Sequence, residues 1–228
     1  EQTGQTAYDK ASNKNGTLGA DTSIASDDPT WKPQNNCKTN GCLNFEGNDY
    51  VNIPNDNSLQ IDNGSLTAWI KTANAGSGYR GIIVKHGAYG IFLGGTSCLN
   101  NTLTTYDWGG GNNRCSGSDS LADNQWHHVA FTFQNGITNG SHFYIDGKHI
   151  SSTTITIGNQ SKGVSIGTGD YPYNSQYFNG SIDELKIYNS VLTPEQIKQD
   201  MNSGSTLTVG TTTNEAAELS DGEGNPPI

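Results

Sequence analysis

The sequence predicts an all-β chain: an antiparallel two-sheet β-sandwich with one short helix near the C-terminal end. Three observations carry this. Short apolar and β-branched runs alternate with period two and are broken by Gly, Asn and Asp turns, the pattern of half-buried strands. With 29 glycines, 10 tyrosines and 32% hydrophobic residues among 228, the composition suits a turn-rich sandwich with wide polar loops. Finally, Thr193-Pro194-Glu195-Gln196 has the chemistry of a helix start: an N-cap, a proline at the first helical position and a Gln in the capping-box position.

The elements follow in chain order. Tyr8 to Leu18 is a polar loop dense in oxygen donors, and Ala20 to Asn36 reads as loop, with Asp27-Asp28-Pro29 as a turn and Trp31 as an apolar plug. Leu43/Phe45 and Tyr50/Ile53 flank a Gly-Asn turn, which predicts a hairpin. In the run from Leu66 to Lys71, Leu66, Ala68 and Ile70 oppose Trp69, and apolar residues on both faces mark an internal strand. Gly81 to His86 and Tyr89 to Gly94 predict a strand pair, and Leu103 to Trp108 a further strand before a glycine-rich loop at 109–113. Trp126 to Phe133 alternates strongly, and Phe143 to Ile150 folds at a tight Asp146-Gly147 turn. Val164 to Gly167 precedes a long loop from Gly169 to Gln176.

The closing stretch predicts a turn at Asn179-Gly180, a strand over Ile182 to Tyr188, and the capped helix, with Ile197 and Met201 on one face and Gly204 as its stop. Strict alternation puts Asp183 on the same face as Leu185 and Ile187. There it must accept backbone N–H groups, meet a cation, or sit in water at the strand mouth. Beyond Gly204, Ser205 to Val209 has strand composition, and 211–228 is acidic and poor in apolar residues. The chain thus divides into a sandwich domain, 1–204, and a tail, 205–228, read as a solvated linker or as a strand donor.

Several of these strings resemble one family. Trp126-His127-His128-Val129-Ala130-Phe131-Thr132-Phe133 and Tyr144-Ile145-Asp146-Gly147-Lys148 are the most specific. The closing Ile182-Asp183-Glu184-Leu185-Lys186-Ile187-Tyr188 strand with its helix, and the stretch from Phe45 to Ile53, support them. Together they resemble the laminin-G-like, concanavalin A-like jelly-roll domains, the superfamily that includes the pentraxins, over roughly Tyr8 to Gly204. The resemblance implies a non-catalytic binding or adhesion module of a larger surface or secreted protein. Its alternative is a structural subunit or exposed head of a pilin-like appendage. In the family a hydrophobic strand usually precedes the opening loop. A sandwich starting at Glu1 is therefore expected to leave an edge open beside Ile182–Tyr188, which Ser205–Val209 could fill in cis or in trans.

Net charge of −10 opposes binding to nucleic acid, whose phosphates would be repelled. No apolar run approaches the ~20 residues of a membrane span, and no signal-peptide pattern is present. Cys37/Cys42 and Cys98/Cys115 lack zinc-ligand spacing. Two sequential disulfides, each bracketing a Gly/Asn-rich loop, are the simplest account and imply an oxidising, extracellular or cell-surface compartment. Asn-x-Ser/Thr sequons occur at Asn15, Asn63, Asn100, Asn139, Asn159 and Asn179.

Catalytic chemistry finds little support. Asp183 and Glu184 are adjacent on a strand and point to opposite faces, so they make no retaining-glycosidase pair. His127-His128 cannot ligate a metal from one face and reads as structural. Calcium is the cofactor the residues suit best, as a structural ion joining the termini through Asp9, Asn13, Asn15 and Asp183, all oxygen donors suited to a hard cation. In pentraxin-like relatives the ligand-side calcium sits on other loops. Asp170 stands where one acidic ligand is expected, but His86-Gly87 replaces the matching Asp-Asn pair. A glycan or cell-surface protein is the expected partner. The candidate site is aromatic and amide-rich: Arg80, Asp107, Trp108, Asp170, Tyr171, Tyr173 and Asn174. The competing reading is that Trp108 and a tyrosine merely cap the sandwich ends.

Overall fold

A computed structural model describes residues 3–73, 76–169 and 176–203. The strands are β1 (Thr6–Ala7), β2 (Gly16–Leu18), β3 (Thr30–Pro33), β4 (Gly41–Glu46), β5 (Val51–Ile53), β6 (Asn63–Lys71), β7 (Arg80–Lys85) and β8 (Tyr89–Leu93). They continue with β9 (Leu103–Asp107), β10 (Asn112–Cys115), β11 (Trp126–Gln134), β12 (Ser141–Ile145), β13 (Lys148–Thr153), β14 (Val164–Ile166) and β15 (Asn179–Tyr188). The helix α1 (Pro194–Asn202) follows. An eight-stranded sheet has the order β1-β2-β5-β14-β7-β8-β9-β10, and a seven-stranded sheet the order β13-β12-β11-β6-β15-β4-β3. Their inner faces enclose one core in which Leu66, Ala68, Ile70, Ile91, Phe131, Phe133 and Phe143 are fully buried. This is the predicted antiparallel sandwich.

Local chemistry explains the turns. Asp146 and Gly147 both take positive φ, 48° and 71°, which is what a two-residue turn between twisted strands requires, and β12 and β13 pair across it. At α1 the capping box is complete: Thr193 accepts from the Gln196 N–H, and the Gln196 side chain accepts from the Thr193 N–H. Ile197 is buried against Ala130 and Tyr144, so the helix lies on the outer face of the seven-stranded sheet. The helix stop expected at Gly204 lies outside the described residues. Both disulfides, Cys37–Cys42 and Cys98–Cys115, are formed, and no cysteine is free.

Four expectations are corrected. Leu43/Phe45 and Tyr50/Ile53 do not make a hairpin: β4 and β5 lie in opposite sheets, and Gly47 at φ 92° begins the crossing. The stretch read as loop from Ala20 to Asn36 contains β3, an edge strand on β4, whose flanking prolines hid it. A short strand does precede the opening loop, since β1 pairs with β2 across it. Finally, β15 is not an edge along its whole length. It pairs with β6 on one side, and on the other with β4 through Asn179–Ile182 only.

A bulge between Asp183 and Lys186, with Glu184 at φ 45°, also breaks the alternation of β15. Ile182, Leu185 and Ile187 all pack on the core as a result, and Asp183 does not share their face. Its carboxylate accepts the backbone N–H groups of Lys38 (2.9 Å), Thr39 (2.8 Å) and Glu184 (2.8 Å).

Candidate functional site

Along β8, Tyr89, Ile91 and Leu93 point into the core, so Phe92 points outward from the eight-stranded sheet. The same alternation on β9 sends Leu103 inward and Thr104, Tyr106 and the following Trp108 outward. Phe92 is nonetheless only 2% exposed, because aromatic rings cover it. Tyr79 meets it edge-on at 5.3 Å between centroids, and Trp108 lies tilted at 6.2 Å. Tyr106 bridges the two, 6.2 Å from Tyr79 and 5.5 Å from Trp108, and His86 meets Trp108 at 5.9 Å. Tyr79, His86, Tyr106 and Trp108 are half-buried, so each ring keeps part of its surface open.

The patch is held rigidly. Asp107 is 2% exposed, and one carboxylate oxygen accepts the N–H groups of Gly110 (2.9 Å) and Thr156 (2.8 Å). The other accepts from the Arg114 guanidinium at 2.7 Å. Gly111 N–H donates to the Asp107 carbonyl, closing the turn that carries Trp108. At the other end the Tyr79 hydroxyl bonds to the Asn113 amide oxygen. The Asn113 amide nitrogen in turn donates to Thr96 (3.0 Å) and Ser97 (2.7 Å), beside the Cys98–Cys115 bridge. Burial raises the Tyr79 pKa, so its hydroxyl stays protonated at neutral pH.

The structure therefore divides the expected ligand residues. Trp108 is on the patch; Arg80, half-buried at the start of β7, follows Tyr79 in the chain and pairs with Leu93, on the opposite face from Phe92. Asp107 is a positioning residue whose oxygens are already taken. Asp170, Tyr171, Tyr173 and Asn174 lie outside the described residues. Sequence reasoning missed Tyr106 and His86 as patch members. The outward side of β9, three apart from the inward Leu103, was the available signal for Tyr106.

The residues expected to hold calcium are engaged by the chain's own donors. Asp9 accepts from the N–H groups of Ala11 (2.8 Å), Ser12 (3.1 Å) and Lys14 (3.0 Å) and from the Ser12 hydroxyl. Burial acts against its ionisation, but these donors outweigh it and hold the carboxyl below its usual range. Asn15 Oδ1 accepts the Asp9 N–H, and Asn13 stands at φ 60° in the same turn. Asp183 accepts two N–H groups on one oxygen and one on the other, although burial raises its pKa. Among the described residues no group of three His, Cys, Asp or Glu side chains is placed to hold a metal.

His127 and His128 serve the scaffold. His127 lies between Asp146 (2.8 Å) and Asp123 (3.1 Å). His128 is 1% exposed, with its Nε2 3.2 Å from Asp200, whose carboxylate also accepts from Lys186 (2.8 Å) and Tyr188 (2.6 Å). This network locks α1 onto β11 and β15. No helix among the described residues is long and apolar enough to cross a membrane.

Solved structures share this architecture. Domain 4 of an extracellular arabinanase from Geobacillus stearothermophilus, solved with arabinotriose, aligns with a TM-score of 0.64 at 21% identity, covering 84% of this chain and 91% of that one. The binding domain of botulinum neurotoxin DC, solved with rat synaptotagmin II, gives 0.60 at 18%, covering 87% and 51%. A sialidase from Trypanosoma rangeli gives 0.52 at 15%, covering 72% of this chain and 28% of the enzyme. At these identities the likeness is one of fold. No curated protein matches the chain. A family described as the concanavalin A-like lectin/glucanases superfamily, of laminin G type, matches residues 45–198. With most of its length so matched and the sandwich in place, the chain belongs to that superfamily.

Proposed function

We propose that the chain is a non-catalytic carbohydrate-binding module of an extracellular protein, and that its ligand lies on the aromatic patch of the eight-stranded sheet. The observation that carries this is the group Tyr79, Tyr106 and Trp108, each half-buried, with Trp108 held by the turn at Asp107. Aromatic faces supply large contact area with little conformational freedom to lose, which suits a ligand that offers C–H faces and hydroxyls together. Neighbouring rings are inclined by 63–77°, apart from the 41° between Phe92 and Trp108, so the patch is corrugated. A corrugated surface fits a single, turning glycan chain better than a flat crystalline one. The arabinanase domain solved with arabinotriose supports a glycan, and the toxin domain solved with synaptotagmin supports a cell-surface protein as the other partner class. Two disulfides favour an oxidising, extracellular setting.

A glycan array followed by calorimetry tests this reading. The Trp108→Ala and Tyr106→Ala variants should lose at least 2 kcal/mol of affinity, about 30-fold, with an unchanged fold. Full-strength glycan binding by both variants would place the site elsewhere. A second reading, a structural subunit that assembles through strand addition, is favoured by the unpaired half of β15.

A further inference from the structure

Beside the second half of β15 the sandwich is open. Among the described residues Lys186–Tyr188 pair only with β6, and the bulged Glu184 and Leu185 pair with neither neighbour, because the pairing of β4 with β15 ends at Ile182 and the chain before it belongs to the Cys37–Cys42 loop. A groove of about 640 Å³ runs along this free backbone edge. Its walls include Leu185 and Ile187 of β15, Trp31 of β3, Ile53 of β5, and Leu59. All but Leu59 are only half-buried, although they pack against the core. A row of unpaired N–H and C=O groups above an apolar floor is a template for one more strand.

We propose that Ser205–Val209 of the same chain is that strand. The segment's five residues are enough to cover the three laddered residues of the free edge, Lys186–Tyr188, and the bulge before them. Leu207 and Val209 share one face, which would meet the apolar floor, while Thr206 and Thr208 face outward. Residues 204–214 carry no charge, as an apolar groove requires, and the four acidic residues of the tail all follow. Reach is short: the Ser203 hydroxyl accepts from Lys186 Nζ at 2.8 Å, so α1 ends within one lysine side chain of the open edge. Gly204, at roughly 3.4 Å per extended residue, joins Ser203 to the first residue of the strand. The strand completes the domain in cis, independently of what the aromatic patch binds.

The test uses the full chain and a chain ending at Ser203. Strand addition predicts that truncation lowers the melting midpoint by about 5 °C or more. A free peptide of residues 204–213 should restore it. In the full chain, Ile187→Cys with Leu207→Cys should form a third disulfide within one molecule, seen by mass and on non-reducing gels. An unchanged midpoint after truncation, a loss that the peptide does not restore, or the absence of the cross-link would each overturn the proposal. Cross-linked dimers in place of the intramolecular bond would overturn it in favour of a second copy as donor.

Discussion

Asp49 sits where the chain crosses from one sheet to the other. It is 3% exposed and accepts the Glu46 N–H at 2.7 Å. Burial, with the charges of Glu46, Asp27 and Asp28 nearby, pushes its pKa up to about 6. The folded state therefore keeps a proton that the unfolded chain loses near pH 4. This group's contribution to stability falls as pH rises from about 4 to 6. Asp49→Asn should leave the melting midpoint nearly unchanged at pH 4 and raise it at pH 7, by roughly 1 kcal/mol of stability. Equal effects at both pH values would contradict this assignment. Asp9 behaves differently, because its donors outweigh burial and lower its pKa, whereas burial raises that of Asp183 as it does that of Asp49. Excess chelator is expected to leave the melting midpoint of the purified protein where it was, and a drop would restore the structural calcium.

At the scale of elements, α1 depends on one buried carboxylate. Burial alone would raise the pKa of Asp200, but hydrogen bonds from His128, Lys186 and Tyr188 outweigh it and hold the group well below the usual range. Its stabilisation is thus present above pH 4 and is lost as pH falls further. Asp200→Ala leaves Lys186 and His128 facing a buried void and should cost about 3 kcal/mol, read by chemical denaturation at pH 7. Loss of less than about 1 kcal/mol would show the helix to be held by Ile197 alone. The capped helix, the Asp146-Gly147 hairpin and the internal strand β6 were legible in the sequence because each is specified by local chemistry. The crossing from β4 to β5 was not, since a Gly-Asn turn reads the same whether the next strand pairs within the sheet or leaves it. The bulge in β15 was hidden for a similar reason. Glu184 at positive φ leaves no mark on an otherwise regular alternation, and it changes which face Asp183 meets.

At the scale of the molecule, the sandwich places a rigid aromatic patch on one broad face and an open strand edge along one side. Trp108 and the Tyr79-Arg80 pair could be singled out from sequence as aromatic and cationic residues on loops. Tyr106 and His86 join Trp108 and Tyr79 only because the strands align in register, which no local string encodes. Asp107 was legible as polar and near Trp108, but its role in fixing the turn depends on Thr156 and Arg114 arriving from distant positions. Asp107→Ala should therefore weaken glycan binding several-fold through loosening of the turn, alongside some loss of stability. The central claim, a carbohydrate site on the aromatic patch, is tested most directly by titrating the array's best glycan into wild-type protein and Trp108→Ala by calorimetry. The account predicts measurable binding by the wild type and a loss of at least about 30-fold in the variant, with matching melting curves. Equal affinity in the two proteins would contradict it.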